Sequence, residues 1–124
     1  MAVFFCCNEG IIQGNTFDPA YYAIYLMHGH GNVIRRNDIR NTSKYSIHIY
    51  DEDKYGSTGE LNPKITNLVV ENNVIDNSRS RSGIVISGGD YSKPPIEINS
   101  VLIRNNLILN NSTGGINLKG DGWI

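Results

Sequence analysis

Charge of either sign is scarce in this chain, and neither sign prevails. Only 19% of the 124 residues are charged and the net charge is −1. The clustered Lys and Arg that phosphate binding needs are missing, so nucleic acid is not an expected partner. Long apolar runs are missing too. None nears the roughly 20 residues that span a bilayer, and no membrane association is expected. The N-terminal MAVFFCC is apolar but short, lacks a basic start and runs straight into Asn8-Glu9-Gly10. No signal peptide is read there, which leaves the cytoplasm as the default location. Cysteine is confined to the neighbours Cys6 and Cys7. They cannot staple distant segments and have no nearby His or Cys with which to hold zinc. Two buried or half-buried thiols in a first strand, in a reducing compartment, are expected instead. Helical periodicity is also lacking.

Apolar residues nevertheless make up 40% of the chain, enough for a globular protein. At this length there is little room for a second core, so one domain over residues 1–124 is expected. Self-similarity then supplies the main signal. The stretches IIQGNTFDPAYYAIYLM, VIRRNDIRNTSKYSIHIYD, VVENNVIDNSRSRSGIVISG and LIRNNLILNNSTGGINLKG align on Asn15, Asn37, Asn73 and Asn106. Three residues before each marker stands Ile12, Ile34, Val70 or Ile103, and two residues after it Phe17, Ile39, Ile75 or Ile108. Apolar-x-apolar triplets begin at Ile24, Ile47, Ile84 and Ile116 and end at Leu26, Ile49, Ile86 and Leu118.

A triplet of this kind is the period of a strand with one face buried. Three short strands per coil, stacked at about 4.8 Å, would pair each strand in parallel with its copy in the next coil. Like residues would then stack on like, and about four coils are expected. The marker asparagines are given two tasks: holding the left-handed conformation of a sharp turn, and linking coil to coil through their amides. A leucine-rich repeat would leave the second apolar triplet of each unit unexplained.

The segments NNVIDN…SGIVIS and RNNLILNN…GGINLKG resemble the right-handed parallel β-helix repeats of the pectate-lyase-like superfamily over roughly residues 8–122. That superfamily includes pectate lyases, polygalacturonases, alginate lyases and epimerases, and phage tailspikes. The resemblance implies an all-β solenoid whose first sheet is built from the SIHIY, GIVIS and GINLK segments. It also implies a polysaccharide groove on the outer face of that sheet, walled by the insertions at 51–64 and 88–97.

Alternation assigns three outward columns to that face: Ala23, Ser46, Gly83 and Gly115; then Tyr25, His48, Val85 and Asn117; then Met27, Tyr50, Ser87 and Lys119. Tyr25, Asn117 and Lys119 become the expected ligand-binding residues, with Tyr55 and Tyr91 as loop walls, because aromatic faces beside polar groups suit sugar rings. None of these twelve outward positions is Asp or Glu. A glycosidase needs two carboxylates about 5–10 Å apart, so an enzyme here would be a polysaccharide lyase or epimerase, with His48 and Tyr50 as its catalytic pair. An alginate epimerase carries Asp-Pro-His, and here Asp18-Pro19 is followed by Ala20.

Asp51 and Asp53, with Glu52, offer the hard oxygen ligands that Ca²⁺ takes, although three acids in a polar loop are more often simply solvated. No other metal site is expected. His28 and His30 flank Gly29 and lack a third ligand, so a glycine-rich turn is the better reading. A carbohydrate-acting enzyme, a non-catalytic carbohydrate-binding module and a structural module assembling through its ends all remain open. The chain also reads as a window cut from a longer solenoid. A homo-oligomer is expected, because a terminal coil without a cap exposes its apolar cross-section.

Overall fold

The computed structural model describes residues 3–5, 7–50, 64–87 and 97–119. Asp51, Asp53, Tyr55 and Tyr91, named above, lie outside them. Every element among the described residues is a strand: β1 (Val3–Phe5), β2 (Ile11–Gln13), β3 (Thr16–Phe17), β4 (Tyr22–Leu26), β5 (Gly29–His30), β6 (Val33–Arg35), β7 (Asp38–Arg40), β8 (Tyr45–Tyr50), β9 (Lys64–Glu71), β10 (Val74–Asp76), β11 (Ile84–Ser87), β12 (Glu97–Arg104), β13 (Leu107–Leu109) and β14 (Ile116–Lys119).

They form three sheets. Sheet A runs β1-β4-β8-β11-β14, sheet B runs β2-β6-β9-β12 with β5 also on β9, and sheet C runs β3-β7-β10-β13. All the pairings are parallel, and each joins a strand to its copy in the next coil. This is a right-handed parallel β-helix of four coils. Before the first of them, β1 adds an extra strand to sheet A.

The rows foreseen from the triplets are in register. Ile24, Ile47, Ile84 and Ile116 align, as do Leu26, Ile49, Ile86 and Leu118. Phe17, Ile39, Ile75 and Ile108 form the matching row of sheet C. In sheet B the row is Ile12, Ile34, Val70 and Ile103. These rows fill the interior, and in coils two and three their members are fully buried. The core is a stack of aliphatic layers, and each layer excludes water from the next.

The asparagine ladder is continuous. Asn15 Nδ2 donates to Asn37 Oδ1 at 3.1 Å, Asn37 Nδ2 to Asn73 Oδ1 at 3.0 Å, and Asn73 Nδ2 to Asn106 Oδ1 at 2.9 Å. The same carbonyl oxygens accept the backbone N–H of the asparagine one coil below. The left-handed turn, however, belongs to the preceding residue and not to the marker. Gly14, Arg36, Asn72 and Asn105 carry φ between 54° and 69°. The two tasks are therefore split: one residue turns the chain, and the next points its amide inward. A second left-handed row is Glu9 ahead of β2, Gly31 between β5 and β6, and Asn67 and Ser100 within β9 and β12, and a third, Asn41, Asn77 and Asn110, follows sheet C.

Two further expectations are corrected. Cys7 lies beyond β1 and is exposed, with its Sγ 3.5 Å from Asn32 Oδ1; Cys6 is outside the described residues. The column Ala23, Ser46, Gly83 and Gly115 faces the interior. Ala23 belongs to the core cluster and Ser46 is fully buried against the Thr42 hydroxyl. A Cβ added at Gly83 would stand 2.8 Å from Ile108 Cγ2 and 3.1 Å from Ile75 Cγ2. Strict alternation fails at this corner because two successive residues turn inward where the chain enters sheet A.

Candidate functional site

With that column removed, the outer face of sheet A is lined differently. The residue before each inward pair takes its place, and in coils one and two that residue is Tyr22 and Tyr45, which are register partners. Their rings stack at 5.4 Å with 27° between planes. Beside them run Tyr25 and His48, also partners, and then Tyr50. The His48 ring is the hub of the group. It stacks on Tyr45 at 4.2 Å and on Tyr50 at 5.4 Å, and lies 5.0 Å from Tyr25.

Cations border this patch. Lys44 Nζ lies 5.4 Å from the Tyr22 ring centre, 5.7 Å from that of Tyr21 and 5.8 Å from that of Tyr45. The Arg81 guanidinium lies 6.0 Å from the Tyr45 ring. Such contacts hold a cation against the electron-rich ring face. Tyr22 and its neighbouring tyrosines push the Lys44 ammonium above its usual pKa, chiefly through a hydrogen bond to Tyr22.

His48 is held neutral. Its pKa falls to about 4, first because the ring is largely removed from water and then because the Lys44 and Lys119 ammoniums oppose a second positive charge. Nε2 lies 3.2 Å from Ser87 Oγ, while Nδ1 is buried without a partner. A bare nitrogen lone pair is cheaper to bury unpaired than an N–H donor. The favoured tautomer therefore carries the proton on Nε2 and donates it to Ser87. That arrangement leaves the Ser87 hydroxyl unactivated.

The predicted residues are thus partly assembled. Tyr25, His48 and Tyr50 meet directly, and Lys119 acts on His48 through its field. Asn117 lies two coils along from His48 in the same row, beyond Val85. The expectation that this row is open to solvent does not hold throughout. Val85 is only 2% exposed and Tyr25 8%, so both are outward in direction yet covered. Tyr21, Tyr22, Lys44, Tyr45 and Arg81 were not foreseen. A signal existed: Tyr22 and Tyr45 each stand two residues before a triplet. It was masked by taking the alternation one residue too far. No group of three or more His, Cys, Asp or Glu is placed to hold a metal among the described residues. Among the described residues no helix is long and apolar enough to cross a membrane.

Compared with known families, residues 2–122 match the model of a right handed beta helix region. No curated protein and no solved structure matches the chain.

Proposed function

The chain belongs to the right-handed β-helix family, whose fold carries sites without fixing an activity, and from that premise we propose that the outer face of sheet A binds carbohydrate. The observation that carries the reading is the ring cluster of Tyr22, Tyr25, Tyr45, His48 and Tyr50 on one face of coils one and two. Sugars present flat C–H faces edged by hydroxyls, which stack on rings and hydrogen-bond at the rim. Lys44, Arg81 and Lys119 place positive charge at that rim, which favours a saccharide bearing carboxylates, such as a uronic-acid polymer. Asn117 would contribute an amide farther along the same face.

The test is titration calorimetry against a panel of uronic-acid and neutral oligosaccharides, with product formation followed in parallel. Binding without turnover is expected. Tyr45→Ala should weaken it roughly tenfold, the loss of one aromatic contact worth about 1–1.5 kcal/mol. If no member of the panel binds, or if Tyr45→Ala binds like the parent, the proposal fails.

A lyase or epimerase using His48 and Tyr50 is the second reading. It starts from an imidazole kept neutral, and because the accepting nitrogen Nδ1 is buried it requires the ring to turn and expose that nitrogen. It requires turnover that disappears in His48→Ala while binding persists. An assembly role through the solenoid end is the third, and rests on the exposure of Ile116 and Leu118 in the last coil, 48% and 54%.

A further inference from the structure

The outer face of sheet B carries a row unlike any other on the outside of the described solenoid. Ile11, Val33, Val69 and Leu102 are register partners through all four coils. They point outward, since Ile12, Ile34, Val70 and Ile103 beside them form the inner row. Ile11 is 60% exposed and Leu102 44%. The corresponding outer rows of the other sheets are mixed: Tyr25, His48, Val85 and Asn117 in sheet A, and Thr16, Asp38, Val74 and Leu107 in sheet C. An outward row that is apolar in every coil is a surface built to be covered.

The next outward row says by what. It reads Gln13, Arg35, Glu71 and Arg104. Within the chain, Arg35 Nε donates to Gln13 Oε1 at 2.6 Å, and Arg104 pairs with Glu71 at 2.7 Å. Arg35 has no acidic partner of its own among the described ion pairs. Consider a second copy laid face to face, related by a two-fold axis along the strands between coils two and three. This operation reverses the coil order and keeps each row opposite itself. Ile11 then meets Leu102 of the partner subunit, and Val33 meets Val69 of the partner subunit. In the charged row, Arg35 meets Glu71 of the partner subunit, and Gln13 meets Arg104 of the partner subunit. A two-fold axis along the solenoid would instead face each coil with itself, so that the charged row meets an uncharged row, or meets itself with like charges opposed, and the Arg35–Glu71 match is lost. Apolar register and charge order therefore select one arrangement.

We infer that the protein forms an isologous, antiparallel dimer through the outer face of sheet B, with a second copy of this chain as the occupant. Four coils at about 4.8 Å give a contact only about 19 Å tall. It lies at the small end of specific interfaces, so the dimer is expected to be weak and concentration-dependent. The ring patch belongs to sheet A, a different face from this contact.

Light scattering on the full chain across roughly 1 µM to 1 mM tests this. The mass should rise from 13.8 kDa toward twice that value. Val33→Lys, an outward change that leaves the core untouched, should hold the chain monomeric. Arg35→Glu should weaken the dimer at least tenfold, and Arg35→Glu with Glu71→Arg should restore most of that loss, with the fold of each variant checked by circular dichroism. A monomer at every concentration would overturn the inference. So would a dimer indifferent to Val33→Lys but broken by Leu118→Lys, which would move the contact to the solenoid end.

Discussion

His48 is a neutral ring inside a cluster of tyrosines, and that makes it a measurable pH element. In the unfolded chain an imidazole takes its proton near 6.5, but in the folded one only near 4. Between those values the unfolded state binds more protons, so stability rises with pH across this window. Acidification from 6.5 to 4 should remove about 2–3 kcal/mol on this account, at roughly 1.4 kcal/mol per unit and after discounting the part of the ring open to water. Below 4 the group has little more to lose. Urea melts at pH 4.5 and 7 should show a smaller difference in His48→Gln than in the parent, and equal differences would remove His48 as the cause. Gly29 is a second residue-scale constraint. It sits at φ +126°, and a Cβ there would lie 1.9 Å from the Cys7 carbonyl oxygen. Gly29→Ala forces the first coil away from the second and should cost more than about 2 kcal/mol, as read by thermal unfolding.

At the scale of the element, the amide ladder and the aliphatic rows make different demands. Asn73 is buried, and its side chain makes four hydrogen bonds. Oδ1 accepts from Asn37 N and Nδ2, and Nδ2 donates to Ile34 O and Asn106 Oδ1. Asn73→Ala leaves the buried Asn37 donors and the Ile34 carbonyl unpaired, for a loss of about 3–5 kcal/mol. Asn15 closes the exposed end of the same ladder, and Asn15→Ala should cost about 1 kcal/mol or less. Denaturant melts of the two variants check this, and equal losses would refute the graded ladder. In sheet A, Ile84→Ala should cost about 2–5 kcal/mol by opening a cavity. The sequence alone makes Val85→Ala mild because the side chain points outward. At 2% exposure the covered valine should lose about 1–3 kcal/mol instead.

For the whole molecule, stability is graded along the solenoid axis. The interior rows are fully buried in coils two and three, whereas Ile116 and Leu118 in coil four are about half exposed. Each coil touches only its neighbours, so the described coil whose inner rows are most exposed opens first. Amide exchange should be fastest in β13 and β14 and slowest in β7, β8, β10 and β11. Uniform protection across the coils would contradict the gradient. Dimerisation through sheet B should also slow exchange in β6 and β9 as concentration rises.

The coil, its register and its inward rows were legible in the sequence, because an interior stacked on itself forces like residues to recur at fixed offsets from Asn15, Asn37, Asn73 and Asn106. Only the tertiary structure decided what happens at the corners. Alternation is a property of an extended strand, and it breaks where the chain bends. This turned Ala23 and Ser46 inward, brought Tyr22 and Tyr45 onto the outer face, and moved the left-handed conformation from each marker asparagine to the residue before it. The ring cluster around His48 was hidden for that reason, since it joins residues 23 positions apart whose direction depends on one bend. Burial of outward residues such as Val85 was likewise beyond any pattern of period two. A strand's alternation sets which way a side chain points, and only the neighbouring chain sets what covers it.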